Sequence, residues 1–256
     1  MRAVWPDQVD PADPFPEPRT TWGELWAGRR TEADAGAVGD PFAGRATLPA
    51  PAAFVPMEVD LARNTADHDP AAGASCPDLV LGPAADDADR RSLLIALALG
   101  MFFVGDGVKE RPLRRWLRRD PRPPVPDRDA VRAVAQTPFA PWRITAVPRP
   151  GSLVLTDVIG LPDPGHCAVR TPGLPLGPVG PGDLLLARVV AGPAGPVAMC
   201  ALGCPGPLPA AVPRWIRWLG WEDRALRAGK PPTLSGVLAR RGHHLGRRIL
   251  EAAWAR

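Results

Sequence analysis

The stretch from residue 142 to residue 203, WRITAVPRPGSLVLTDVIGLPDPGHCAVRTPGLPLGPVGPGDLLLARVVAGPAGPVAMCALG, limits most what this chain can fold into. It reads as five short strands joined by Gly/Pro turns. Trp142, Ile144 and Ala146 alternate with Arg143 and Thr145, the period-two mark of a half-buried strand. Pro148-Arg149-Pro150-Gly151 predicts a turn, because proline fixes φ and glycine tolerates positive φ. Leu153, Leu155 and Val158 predict a second strand, ended by LPDPG at 161–165, and residues 166–171 a third. Pro181-Gly182-Asp183 turns the chain into 184–190, LLLARVV, a nearly continuous apolar run of the kind covered on both faces. GPAG at 192–195 then leads into a hairpin partner at 197–202. Closing five strands removes the exposed edges that invite aggregation. The expected fold class is α+β. A small five-stranded antiparallel β-barrel or roll, OB-like or SH3-like, is flanked by helices, and 184–190 is its central strand. A Pro-rich, partly disordered N-terminal arm precedes it.

The order of these features carries a resemblance. PFAPWRITAV, a polar turn, SLVLTDVIG, GPGDLLLARVV and a following hairpin strand stand after a helical segment at 127–136. This order resembles the β-module of uncharacterised bacterial SEC-C-associated proteins. The resemblance covers about a third of the chain and implies a β-module, with no catalytic residue attached to it. The SEC-C zinc motif, Cys-x-Cys followed by a Cys-Cys or Cys-His pair, is absent here.

Around the module the chain divides into an acidic Pro/Ala/Gly-rich arm at 1–85, expected to be partly disordered, and a helical segment at 86–136. The barrel module occupies 138–205 and basic C-terminal helices 208–256. Within the arm, TTWGELWAGRR at 20–30 predicts a short helix capped by Thr20 or Thr21, either a docking element or a strap over the protein's own core. Short strands are expected at 54–61 and 79–81. Residues 86–104 form the clearest helix, with Asp86, Asp87 and Asp89 at its positive end and apolar residues all round. RPLRRWLRR at 111–119 is a short basic amphipathic segment. After a proline-rich joint at 205–213, residues 214–227 predict a helix with Trp215, Trp218, Leu219 and Leu226 on its apolar face. Thr233 caps a last helix at 234–254, with Leu238, Leu245, Ile249 and Trp254 among its apolar residues.

Charge is unevenly spread. Residues 1–90 hold 7 basic and 16 acidic side chains, and residues 91–256 hold 24 and 11. The overall balance of +4 therefore joins an acidic half at −9 to a basic half at +13. Either the halves neutralise each other, or the basic body meets a polyanion while the acidic half limits non-specific binding. The longest apolar run, 93–104, is shorter than the roughly 20 residues a bilayer span needs. The N-terminal MRAVWPDQVDPADPFPEP lacks the apolar core of a signal peptide. A cytoplasmic protein without membrane contact is expected.

The residue constellations favour binding over catalysis. Cys200-x-x-x-Cys204 lacks the second ligand pair of a zinc site. Cys167, Cys200 and Cys204 are expected to be packing residues without metal. His166 and Cys167 are adjacent and point opposite ways on a strand, and no third group orients them as a nucleophile and base. His243-His244 is not a one-face ligand pair and reads as a solvated turn in a basic helix. Asp157, Asp163 and Asp183 stand in or beside turns, where aspartate caps backbone N–H groups. No phosphate-cradling glycine loop is present. No catalytic residue, cofactor or metal is therefore assigned.

The basic stretches remain. Residues 109–122 hold seven basic and two acidic side chains with Trp116 interleaved, and Arg214, Arg217 and the last helix repeat the mixture. Arginine beside tryptophan suits phosphate contact and base stacking. Candidate nucleic-acid-binding residues are Arg114, Arg115, Trp116, Arg118, Arg119, Arg240, Arg241, Arg247 and Arg248. The first expectation for function is a non-enzymatic interaction or scaffold protein with a protein partner, acting through the arm and the barrel surface. The alternatives are a nucleic-acid-associated binding protein using the basic helices, and an enzyme whose site carries no known motif.

Overall fold

A computed structural model describes residues 11–15, 118, 128, 134–161, 166–171, 179–191, 195–227 and 231–254. The expected helices at 20–30 and 86–104 and the short strands at 54–61 and 79–81 lie outside these residues. Of the basic segment at 111–119 only Arg118 is described, and it is helical and exposed. Arg128 and residues 134–136 are helical, as expected for the segment before the barrel.

Five strands follow: β1 (Phe139–Arg149), β2 (Ser152–Asp157), β3 (His166–Arg170), β4 (Leu184–Val190) and β5 (Val197–Cys204). They close into a barrel in the order β1-β2-β3-β5-β4. The expectation of an all-antiparallel sheet needs one correction: β3 runs parallel to β5, joined at Arg170↔Val197. The other four pairings are antiparallel. Parallel contact follows from the strand order, because the chain crosses from β3 to β4 before β5 returns beside β3. In a ring β4 is not central. It pairs with β1 on one side and β5 on the other.

β1 makes closure geometrically feasible. Its first half, Phe139 to Arg143, pairs with β4, and Trp142 to Arg149 pair with β2. Two register irregularities bend it, between Ile144 and Ala146 and between Ala146 and Arg149. Such breaks increase local twist and let one strand serve both walls of a small barrel. At the β1–β2 turn Arg149 pairs with Ser152, leaving Pro150 and Gly151 between them. Gly151 has φ +74°, which proline followed by glycine supplies without strain. Asp157 and Asp183 act as turn caps, as expected. Asp157 accepts from the N–H groups of Ile159 (3.0 Å) and Leu161 (2.9 Å). Asp183 accepts from those of Gly180 and Gly206, both 2.8 Å.

Two helices follow, α1 (Val212–Leu226) and α2 (Leu234–Trp254). α1 starts inside the expected proline-rich joint because Pro213 occupies its first turn, where a missing N–H costs nothing. The Thr233 hydroxyl caps α2, accepting from Gly236 N–H at 3.1 Å. α1 buries Val212, Trp215, Ile216 and Leu219. Leu226 departs from the expected apolar face: it is 68% exposed at the helix end.

α2 packs on the outside of β1 through two glycines. A Cβ at Gly242 would fall on the Phe139 carbonyl and lie 2.9 Å from the Phe139 Cβ. One at Gly246 would lie 2.7 Å from the Phe139 ring. The helix therefore sits on Phe139 itself. This explains why all of β4 is buried. Alternate residues of β4 fill the barrel, and the others face the layer holding Phe139 and α2.

The close approach also corrects the reading of His243-His244. The pair lies within the basic helix α2, as expected, but His243 is buried rather than solvated, its ring tilted against that of His244 with centroids 4.0 Å apart. The glycines that bring the helix onto β1 remove solvent from that face. None of the helices among the described residues is long and apolar enough to cross a membrane.

Candidate functional site

The alternation in β2, where Leu153, Leu155 and Asp157 are buried and Ser152, Val154 and Thr156 are half-buried, separates an inner from an outer face. On the inner face Ile144 and Leu155 are fully buried partners, and Leu153 pairs with Val169. The outer face of β1–β2–β3 is ordered in rows by the strand register. Arg143 pairs with Thr156, Ala146 with Val154, and Val154 in turn with Ala168. Arg149 pairs with Ser152, and Ser152 with Arg170.

This face carries three guanidinium groups. Arg143 and Arg170 are half-buried and Arg149 is exposed. Among the described residues none of the three makes an ion pair. Arg143 and Arg149 stand roughly 13 Å apart, because their partners Thr156 and Ser152 are four residues apart in β2 at about 3.3 Å per residue, and Arg170 lies two strands from Arg149. Between them are small or hydroxylic residues, Thr145, Ser152, Val154, Thr156 and Ala168. Thr145 is fixed by donating its hydroxyl hydrogen to the Val154 carbonyl, at 3.1 Å. The result is a cationic strip whose central row, Ala146, Val154 and Ala168, is small-chained, with the exposed Val147 beside it.

The sequence-selected arginines of the last helix are placed differently. Arg240 makes a two-point ion pair with the buried carboxylate of Asp223 in α1, Nε–Oδ1 2.9 Å and Nη2–Oδ2 2.6 Å. Arg241 is buried and pairs with Glu222 of α1 at 2.9 Å. Arg247 and Arg248 both reach Glu251, at 2.9 and 3.3 Å, and Arg248 also covers the Trp215 ring at 5.5 Å. Two of the four thus join α1 to α2 by ion pairs, Arg248 joins them through the Trp215 ring, and Arg247 and Arg248 together brace one turn of α2. Arg114, Arg115, Trp116 and Arg119 lie outside the described residues.

A further arginine, passed over in the sequence as part of an apolar run, is fully buried. Arg188 of β4 donates through Nη1 to the carbonyls of Val134 and Thr137 and through Nη2 to that of Ala239, 3.1 Å away. Its guanidinium lies 5.9 Å from the centre of the Phe139 ring. Burial pulls its pKa down from the usual guanidinium range to about 10, while the neighbouring Cys200 acts in the opposite sense. It therefore stays cationic at neutral pH, held by carbonyl dipoles.

Cys200 and Cys204 are buried in β5. Two residues of β5, Cys200 and Ala201, oppose the single Ala187 of β4, because Leu186 pairs with Leu202 and Arg188 with Met199. Cys200 is the first residue of this bulge and has φ +52°, a conformation usually left to glycine. No group of three or more His, Cys, Asp or Glu side chains among the described residues is placed to hold a metal ion.

Arg143, Arg149 and Arg170 escaped the sequence reading because they form no local cluster: Arg143 and Arg149 stand six positions apart in β1, and Arg170 is in β3. Their signal is parity: each occupies an outward position in an alternating strand. Clusters such as RPLRRWLRR dominate a search by local charge density. No family model, no curated protein and no solved structure matches this chain.

Proposed function

We propose that this chain is a binding protein built on an OB-type barrel, and that the outer β1–β2–β3 face takes the phosphate backbone of a nucleic acid. The strand order 1-2-3-5-4, the long first strand shared between both walls and the parallel β3–β5 contact support an OB-type assignment. In such barrels this face is the usual platform for extended ligands. The single observation that carries the reading is the strip of Arg143, Arg149 and Arg170, free of ion pairs among the described residues. The strip presents guanidinium and hydroxyl groups and no Trp or Phe ring among the described residues, with Arg170 Nε and Nη2 buried at its edge. It is suited to tracking a backbone rather than stacking bases.

The test is anisotropy titration of a labelled single-stranded oligonucleotide across ionic strength. Three neutralised phosphates predict a log K against log[salt] slope of about −2 on a single strand. No salt-sensitive binding at low ionic strength would refute the reading.

The second reading is an interaction or scaffold protein. It is favoured by the peptide-like seating of residues 11–15 on α1, where Phe15 is buried and the Trp221 indole N–H donates to the Ala12 carbonyl at 2.9 Å. Proteins captured from a lysate by the wild-type chain, and lost on substituting Trp221, would favour it over the first.

A further inference from the structure

The seat of residues 11–15 on α1 is shaped for a particular tripeptide. Asp13 Oδ1 accepts the Phe15 N–H at 3.0 Å, closing a small turn around Pro14. Pro14 and Phe15 are buried. They press on the one place in α1 that has no side chain: a Cβ at Gly220 would lie 2.5 Å from the Pro14 Cγ and 2.7 Å from the Phe15 Cζ. Trp221, next to that gap, anchors the residue before the turn through its N–H. Recognition is therefore local to four positions. They are a carbonyl from a small residue, a turn-forming aspartate, a proline and a phenylalanine.

The same pattern occurs a second time. Ala12-Asp13-Pro14-Phe15 is matched by Gly39-Asp40-Pro41-Phe42, again a small residue followed by Asp-Pro-Phe. We propose that the Gly220–Trp221 cradle of α1 is a docking site for Asp-Pro-Phe segments, and that Asp40-Pro41-Phe42 is the competing occupant to Asp13-Pro14-Phe15. Because the turn is built from the segment's own aspartate, the second copy carries the residues that such a turn needs. Exchange of one for the other shifts the anchored point of the acidic arm by 27 residues, from Phe15 to Phe42.

The experiment uses the full chain and a labelled peptide, AVGDPFAG, corresponding to residues 37–44. The Phe15→Ala chain, with its first occupant weakened, should bind the peptide at least tenfold more tightly than wild type. Asp13→Ala, which removes only the turn-forming carboxylate, should act in the same direction more weakly. The Phe15→Ala/Phe42→Ala chain should bind more tightly again, since both internal competitors are gone. Trp221→Phe in that double variant keeps a ring but removes the N–H, and should weaken binding several-fold. The peptide AVGDPAAG should not bind. Equal affinity of the single and double variants would overturn the competition, and no binding to the double variant would overturn the site. Each chain is first shown to keep the wild-type far-UV circular dichroism spectrum.

Discussion

Arg188 in β4 donates a hydrogen bond to the carbonyl of Ala239 in α2, 51 residues further along the chain, at 3.1 Å. The same guanidinium holds the carbonyls of Val134 and Thr137 at the entry to β1. One buried cation thus ties the barrel wall, the segment leading into it and the helix packed over it.

Replacing Arg188 by Met should lower stability by about 3 kcal/mol, because carbonyls buried with it lose a charged donor. Arg188→Lys should recover only part of this, since one ammonium cannot reproduce the guanidinium fork. Below a folded-state pKa of about 10 both folded and unfolded chains keep this proton. The difference between wild type and Arg188→Met should therefore be flat from pH 6 to 9, measured by urea denaturation. Above about 10 the unfolded chain holds the proton more tightly, so this group makes wild-type stability rise with pH.

Gly242→Ala should destabilise despite the higher helix propensity of alanine. Propensity offers about 1 kcal/mol in favour. Against it stands a Cβ driven onto the Phe139 carbonyl, with the backbone carbon of Phe139 also only 3.0 Å away. Backbone cannot swing aside as a side chain can, and overpacking costs roughly 1–3 kcal/mol or more. A net loss of about 2 kcal/mol is expected in a thermal or urea melt. A gain would show that α2 can lift from β1 at little cost.

The bulge at Cys200 gives opposite expectations for two small substitutions. Cys200→Gly relieves the φ +52° backbone but gives up a buried side chain, and should stay within about 1 kcal/mol of wild type. Cys200→Val keeps an apolar group yet cannot hold that backbone comfortably, and should cost about 2–3 kcal/mol. The ordering glycine above valine, read from midpoint temperatures, is the test.

Two sets of arginines should separate by readout. Arg143→Gln, Arg149→Gln and Arg170→Gln together should bring the salt slope of nucleic-acid binding toward zero and leave the melting temperature nearly unchanged. Arg240→Gln should do the reverse, because it leaves the buried Asp223 carboxylate without its two-point partner. A stability loss of about 2 kcal/mol with an unchanged slope is expected.

The strands, the turns at 150–151 and 181–183 and both C-terminal helices were legible because they rest on local rules. Period-two alternation marked β1 and β2, the run LLLARVV marked β4 at its observed ends, and Thr233 marked the start of α2. Turn aspartates at 157 and 183 were equally readable, since their partners Ile159, Leu161 and Gly180 lie within a few residues. Tertiary structure alone decided the rest. Parallel contact between β3 and β5 depends on how the ring closes, which no strand encodes separately. Leu226 fits the helical period but falls at an end that nothing covers, and His243 is polar but lies where two glycines admit the barrel. Arg188 disappears within an apolar run until three distant carbonyls surround it. The arginine pairs make the same point, since Arg240 and Arg241 meet carboxylates from another helix. Composition and spacing determine which residues sit together along the chain, while the functional meaning of a charge depends on what the fold brings opposite it.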